Sequence, residues 1–427
     1  MFLQNAEGEY EPSFFIIRLK TDRDIQVCAA ENEATFTHEY LHFIQDLILP
    51  YCIRENLRHL ATFFDQMDNV HSIGEIRLPK TIPIPGEELA TLQSKMTWGS
   101  NSFIQTAAEL ESIQRSTEPV PVHGFNLYRY DLKIKDGPSY HFGARDLLEY
   151  IAYKIEAKHF PGQEKLPDLP YCSVDLLVNH YGLSLFSDVK KIALVEYCLH
   201  NDNPAHRMMV MLDDFKVAGT ENFTELSDEE FISFLKSANW KAVGVPFETI
   251  GNKLDRRLNE LCEFLQARYP IEAFPEISSW LDHVMDYART TLAGRSMFAE
   301  LYRATTPEFQ VALSGIINEI GVPLIVNNLG ELGTSLGGDD SCDQFLQLLL
   351  AYEFTSYINR SDPQCPLCSV CERDRSEIMN QDCLDGPFRR AREEDLCPFG
   401  VFAKAHGLAE VRWFSNEKLI PSQGSDW

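Results

Sequence analysis

Apolar positions recur along this chain with two distinct periods, and their alternation predicts most of its elements. Ser13–Lys20 (SFFIIRLK) is a run of aromatic and β-branched residues. Ile25–Ala29 follows it across Asp22-Arg23-Asp24, which predicts an opening β-hairpin. The period then lengthens to that of a helix, from about Asn32 to Leu49. Asn32 stands as N-cap, Glu33 lies in the first turn, and Pro50 opposes continuation. Leu57, Leu60, Phe63 and Phe64 mark a second helix over about Cys52–Met67. Residues 73–100, punctuated by Pro79, Pro83 and Pro85, read as loop with a short strand, and Asn101–Ser116 reads as helix. Asn126–Ile134 and Ser139–Phe142 flank Lys135-Asp136-Gly137-Pro138, the signature of a tight turn, so a second hairpin is expected there. It runs into a helix from Ala144 to about Lys158, bounded by Pro161-Gly162.

From residue 172 to 360 the helical period dominates, over 173–181, 188–200, 204–215, 227–238, 246–268, 276–302, 307–318 and 341–358. No repeat of fixed length emerges. The pattern predicts an α+β chain, mostly α-helical, with small β-hairpins or sheets in its first part. It divides the chain into a region 1–200, a helical region 201–360 and a cysteine-rich segment 361–427.

One motif carries chemistry. Residues 35–46 read TFTHEYLHFIQD, placing H-E-x-x-H on the first predicted helix. His38 and His42 are one turn apart, so both imidazoles project from one face and can grip one Zn²⁺. Glu39 sits beside them, positioned to take a proton from a water that the metal acidifies. His and Glu flanked by Phe36, Leu41, Phe43 and Ile44 are costly to bury without a purpose.

These residues resemble the zincin class of metallopeptidases. More narrowly, T-H-E-Y-x-H-x-x-Q-D is similar to a motif of bacterial cytosolic zincin-like proteins. The resemblance covers residues 30–50 well, 140–157 more loosely and the remainder barely. The metzincin subclass requires Gly and His where this chain has Gln45 and Ile48, so it is excluded. The resemblance therefore implies a gluzincin-type arrangement, with a third ligand, usually Glu, on a later helix. Two carboxylates compete for that place. Glu149 borders the apolar stripe Leu148, Ile151, Ala152 and Ile155, with small Ala152 allowing the metal helix to approach. The alternative, Glu196, is a lone carboxylate in the apolar stretch 193–199. The strand before residue 144 would be the edge that aligns an extended peptide. Asp46, one turn after His42, is the candidate for orienting that imidazole. Tyr153 is the candidate oxyanion donor, with His141, Arg145 and Tyr197 also near candidate ligands in sequence.

The cysteine-rich segment holds Cys365, Cys368, Cys371, Cys383 and Cys397 and few large aliphatics. Two overlapping C-x-x-C steps with later cysteines predict a second, structural Zn²⁺ that staples a segment too poor in apolar residues to fold alone. An iron–sulfur cluster and free thiols are the alternatives.

Composition narrows the function classes. Hydrophobic residues make up 44% and charged residues 24%, enough for a core and against whole-chain disorder. The net charge of −26 repels nucleic acid and anionic membrane surfaces, and no basic run offsets it. No apolar run approaches the roughly 18 residues of a spanning helix. No secretory signal is read at the amino terminus, so a reducing cytoplasm is expected. The expectation is a cytosolic zinc peptidase acting on a protein or peptide, with room for a regulatory partner. The competing expectation is a non-catalytic helical interaction protein with structural metal sites.

Overall fold

The computed structural model describes residues 8–25, 30–79, 87–107, 109–121, 124–162, 166–237, 250–269, 272, 274–292, 296–321, 324–334, 342–358, 363–415 and 418–420. Its strands, in chain order, are β1 (Gly8–Glu11), β2 (Ile16–Leu19), β3 (Glu75–Leu78), β4 (Leu110–Val120), β5 (Phe125–Ile134), β6 (Ser139–Phe142), β7 (Leu324–Asn327), β8 (Leu332–Gly333), β9 (Arg412–Ser415) and β10 (Lys418–Ile420). They form three small sheets of order β1-β2-β7-β8, β10-β9-β3 and β4-β5-β6. Helices make up most of the rest, so the chain is α+β and mostly helical.

The two helices that build the site end where the residue pattern says they should. Helix α1 (Glu33–Ile48) stops at Leu49, which is extended, and Pro50 is the first residue of α2 (Pro50–Ile73). A proline restricts the residue before it to extended conformations and suits the first helical turn, so one residue both ends α1 and starts α2. Helix α3 (Ala144–His159) follows β6 directly, and the Asp146 carboxylate accepts the Gly143 N–H at 2.9 Å at its start. A Cβ on Gly143 would lie 2.2 Å from backbone atoms of Trp98 and Gly99. Only glycine lets that loop close over the start of α3.

Thirteen of the sixteen residues of α1 are buried, so it is an inner helix rather than a surface one. Phe43 stacks on Trp280 and meets Phe15 edge-on, and the Tyr40 hydroxyl donates to Gly321 O. Its opposite side faces α3. Sheet pairing crosses the three segments expected from composition. Strand β2 pairs in parallel with β7, and β3 pairs in parallel with β9.

Several expectations need correction. Strand β2 does not pair forward: its neighbours are β1 and β7, and Ile25 is helical. Residues 26–29 lie outside the described residues, as do 108, 238, 246–249, 293–295 and 341 of the predicted helices. The helix expected over 101–116 is replaced by β4, which pairs with β5 along its length. Between residues 73 and 100, β3 is joined by a helix, Glu87–Thr97. The long helix expected over 276–302 is broken into Pro275–Tyr287, a π-turn at Ala288–Leu292 and Met297–Arg303.

Candidate metal centre

Helices α1 and α3 bring four of the expected residues together. His38 Nε2 lies 3.3 Å and His42 Nε2 3.6 Å from the same oxygen, Glu149 Oε2. The two imidazole rings are 4.9 Å apart, centre to centre. Among the described residues, His38, His42 and Glu149 are the one group of three whose ligand atoms all fall within 4.8 Å of one another. A tetrahedral Zn²⁺ with bonds of about 2.0–2.1 Å sets its ligand atoms roughly 3.3–3.4 Å apart. The observed separations match that spacing, so the residues fit the ion.

Each imidazole is turned to the centre by a partner on its other nitrogen. His38 Nδ1 is 2.8 Å from Glu156 Oε2, and His42 Nδ1 is 2.8 Å from Gln45 Oε1. The Gln45 amide nitrogen donates to Leu148 O at 3.1 Å, which sets its oxygen toward His42 and ties α1 to α3. With Nδ1–H donating in this way, each ring would offer its Nε2 lone pair to a bound cation. Glu149 and Glu156 are two turns apart on α3, and fully buried Ala152 lies between them on that face. Replacing Glu156 by Ala is expected to weaken zinc binding about 10–100-fold, as loss of an orienting carboxylate does. Competition with a zinc-sensitive dye measures it.

Glu39 is buried at 7% exposure next to the three ligands. Burial pushes its carboxyl up to about 7, opposed by His38 and His42 and reinforced by Glu149 and Glu9. Burial disfavours charged His38, yet hydrogen bonds to Glu149 and Glu156 outweigh it and raise the imidazole well above its ordinary value. His42 is raised for a similar reason, through Glu149. Against the same burial, hydrogen bonds from both imidazoles hold Glu149 far below the usual carboxylate range. The metal-free centre thus carries protons that a cation displaces on binding. Strand β1 passes directly over Glu39: a Cβ on Gly8 would come within 2.5 Å of Thr35 Cγ2 and 2.9 Å of Glu39 Cγ.

Other expected site residues stand elsewhere. Glu196 is no ligand. Its Oε1 accepts the Met297 N–H at 3.0 Å, at the buried start of the helix Met297–Arg303. Burial pushes its carboxyl up to about 8. Glu196→Ala is expected to cost about 1–3 kcal/mol by orphaning that donor while metal content stays unchanged. Paired thermal melts and metal analysis check both. Asp46 does not orient His42: it accepts the Tyr10 hydroxyl at 2.8 Å and so anchors β1 to α1. His141 Nε2 meets Met96 O, and the Tyr197 hydroxyl is held by Arg207. The outer edge of β6, expected to align a peptide, is occupied where Ser100 N–H donates to His141 O. Arg145 Nε lies 3.9 Å from Glu149 Oε1 at the border of the centre.

The Tyr153 ring is 5.3 Å from that of Tyr171, whose ring in turn lies 6.2 Å from His38. Burial raises the Tyr171 hydroxyl far above its ordinary value, and the charges of Glu149, Glu39 and Glu156 add to the rise. Sequence reasoning missed Tyr171, Gln45 and Glu156. The last two had a signal, because Gln45 is three residues after His42 and Glu156 seven after Glu149, both same-face spacings. Tyr171, on a separate short helix, had none.

No family model, curated protein or solved structure matches the chain. No described helix is long and apolar enough to cross a membrane.

Proposed function

We propose that the chain is a zinc-dependent peptidase of the gluzincin type, with a zincin-like core formed by α1, α3 and the β1-β2-β7-β8 sheet. One observation carries the reading: His38 Nε2, His42 Nε2 and Glu149 Oε2 converge at zinc spacing while a separate buried carboxylate, Glu39, stands beside them. Three protein ligands rather than four favour catalysis over the structural alternative, since a tetrahedral ion keeps a position for solvent. A zinc ion held there would acidify water and polarise a substrate carbonyl.

The remaining roles fall to the protein's own side chains. Glu39, buried beside the ligands, takes the proton from the attacking water and returns it to the leaving nitrogen. Glu156 and Gln45 keep the imidazoles in the ligating tautomer. The Tyr171 hydroxyl, on a ring 6.2 Å from that of His38, is a further candidate donor for the developing oxyanion beside Tyr153. Strand β1 is the edge of its sheet beside Glu39, the place where an extended peptide main chain can add as a further strand. The substrate is then a protein or peptide. A reducing cytoplasm is the proposed place of action.

The test is chelation. Purified full-length protein is incubated with a denatured cell extract, and new N-termini are identified by mass spectrometry. The proposal predicts termini that vanish with a zinc chelator and return on adding zinc. Identical sets with and without chelator would overturn it.

A further inference from the structure

Cys365, Cys368, Cys371, Cys383 and Cys397 all line one pocket of about 320 Å³, counting its mouth on solvent. All five are free thiols and four of them are buried. The segment folds around them. Cys368 N–H donates to Cys365 O and Cys371 N–H to Leu367 O, winding the first three cysteines into one turn. Cys365 N–H donates to Cys383 O at 2.8 Å, fastening the fourth. The fifth begins the helix Pro398–Ala405, where Gly400 N–H points at Cys397 Sγ at 3.4 Å.

Two features separate this pocket from a set of inert core thiols. Arg390, only 4% exposed, lines the pocket with the cysteines, pairs with Glu393 at 3.0 Å and donates to Ile378 O at 2.8 Å. A cation beside them suits sulfurs that carry negative charge to a metal. The second feature is spacing. A single Zn²⁺ with bonds of about 2.3 Å holds its sulfurs roughly 3.8 Å apart. Among the described residues no three of these sulfurs come within 4.8 Å of one another, although all five face one space. Thiolates that each bind a different iron of a polynuclear centre stand farther apart than ligands of one ion. The order of residues agrees, with C-x-x-C-x-x-C followed by a distant Cys397-Pro398.

We propose that Cys365, Cys368, Cys371 and Cys397 ligate a [4Fe–4S] cluster, in place of the structural zinc expected from the cysteine pattern alone. Cys397 is the fourth ligand because its sulfur receives the Gly400 N–H, the kind of hydrogen bond that stabilises cluster thiolates. Cys383 instead directs its S–H to Asn380 Oδ1 and belongs to the wall. The cluster staples a segment whose strand β9 pairs with β3, directly after α2. The inference is independent of the His38 centre.

The test is analysis of the full chain purified without air. The expected result is a brown protein with about four iron and four acid-labile sulfide per chain, bleached by dithionite. Cys397→Ser is expected to lose that iron and Cys383→Ser to keep it. A colourless protein with five alkylatable thiols would overturn the proposal. So would a zinc ion that persists in a His38→Ala/His42→Ala background and disappears in Cys397→Ser. Iron retained in Cys397→Ser but lost in Cys383→Ser would overturn the choice of fourth ligand. The metal and sulfide content of the wild-type chain decides the main point even if a variant fails to fold.

Discussion

Glu39→Gln is expected to lower hydrolysis about 10²–10⁴-fold, the usual contribution of a positioned general base, while zinc content stays unchanged. Gln occupies the same volume beside the ligands but cannot accept a proton from water. The fold should gain rather than suffer. In the metal-free chain burial raises the Glu39 carboxyl from 4.5 to about 7. The folded state therefore binds this proton more tightly than the unfolded state does. Stability falls as pH rises from about 4.5 through about 7, by at most roughly 3 kcal/mol. Gln carries no such penalty. Metal-free Glu39→Gln should melt above metal-free wild type at about pH 8, and the two should converge near pH 4.5. Thermal melts at the two pH values, with single-turnover assays on a substrate found by N-terminal mapping, check both halves. A fully active Glu39→Gln protein would remove Glu39 from the mechanism.

The second large effect belongs to His38. This imidazole is a ligand and also the partner of two carboxylates, Glu149 at 3.3 Å and Glu156 at 2.8 Å. His38→Ala leaves both acids buried without it, and breaking a buried pair by removing one member costs about 3–5 kcal/mol. It also leaves two ligands, too few for a structural or catalytic zinc site. The expected outcome is loss of zinc at this centre, loss of hydrolysis and a clearly lower melting temperature. His42→Ala should lose the metal with a smaller stability cost, because its other partner, Gln45, is neutral. Equal destabilisation by the two variants would contradict this account of the carboxylate pair.

Much of the site was readable in the residues because it is local. The spacing of His38, Glu39 and His42 places them on one helix, and Pro50 and Pro161-Gly162 mark where the two site helices end. Glu149 was marked out by its place at the border of an apolar stripe on a later amphipathic helix. What escaped depends on partners far away in sequence. Asp46 has the spacing of an orienting carboxylate, but Tyr10, thirty-six residues earlier, takes it. Glu196 has the burial of a ligand, but a helix start 101 residues later uses it. Strand β4 is exposed along most of its length, so it shows no alternation of apolar and polar residues, and pairing with β5 alone determines it. Strand β7 is short and completes a sheet begun three hundred residues earlier, a relation no local period can carry.

Anomalous diffraction at the zinc edge, from crystals of the full chain grown with zinc, tests the central claim most directly. The account predicts a peak about 2.0–2.2 Å from His38 Nε2, His42 Nε2 and a Glu149 oxygen, with its fourth neighbour a water. A peak enclosed by four protein ligands, or none between α1 and α3, would contradict it.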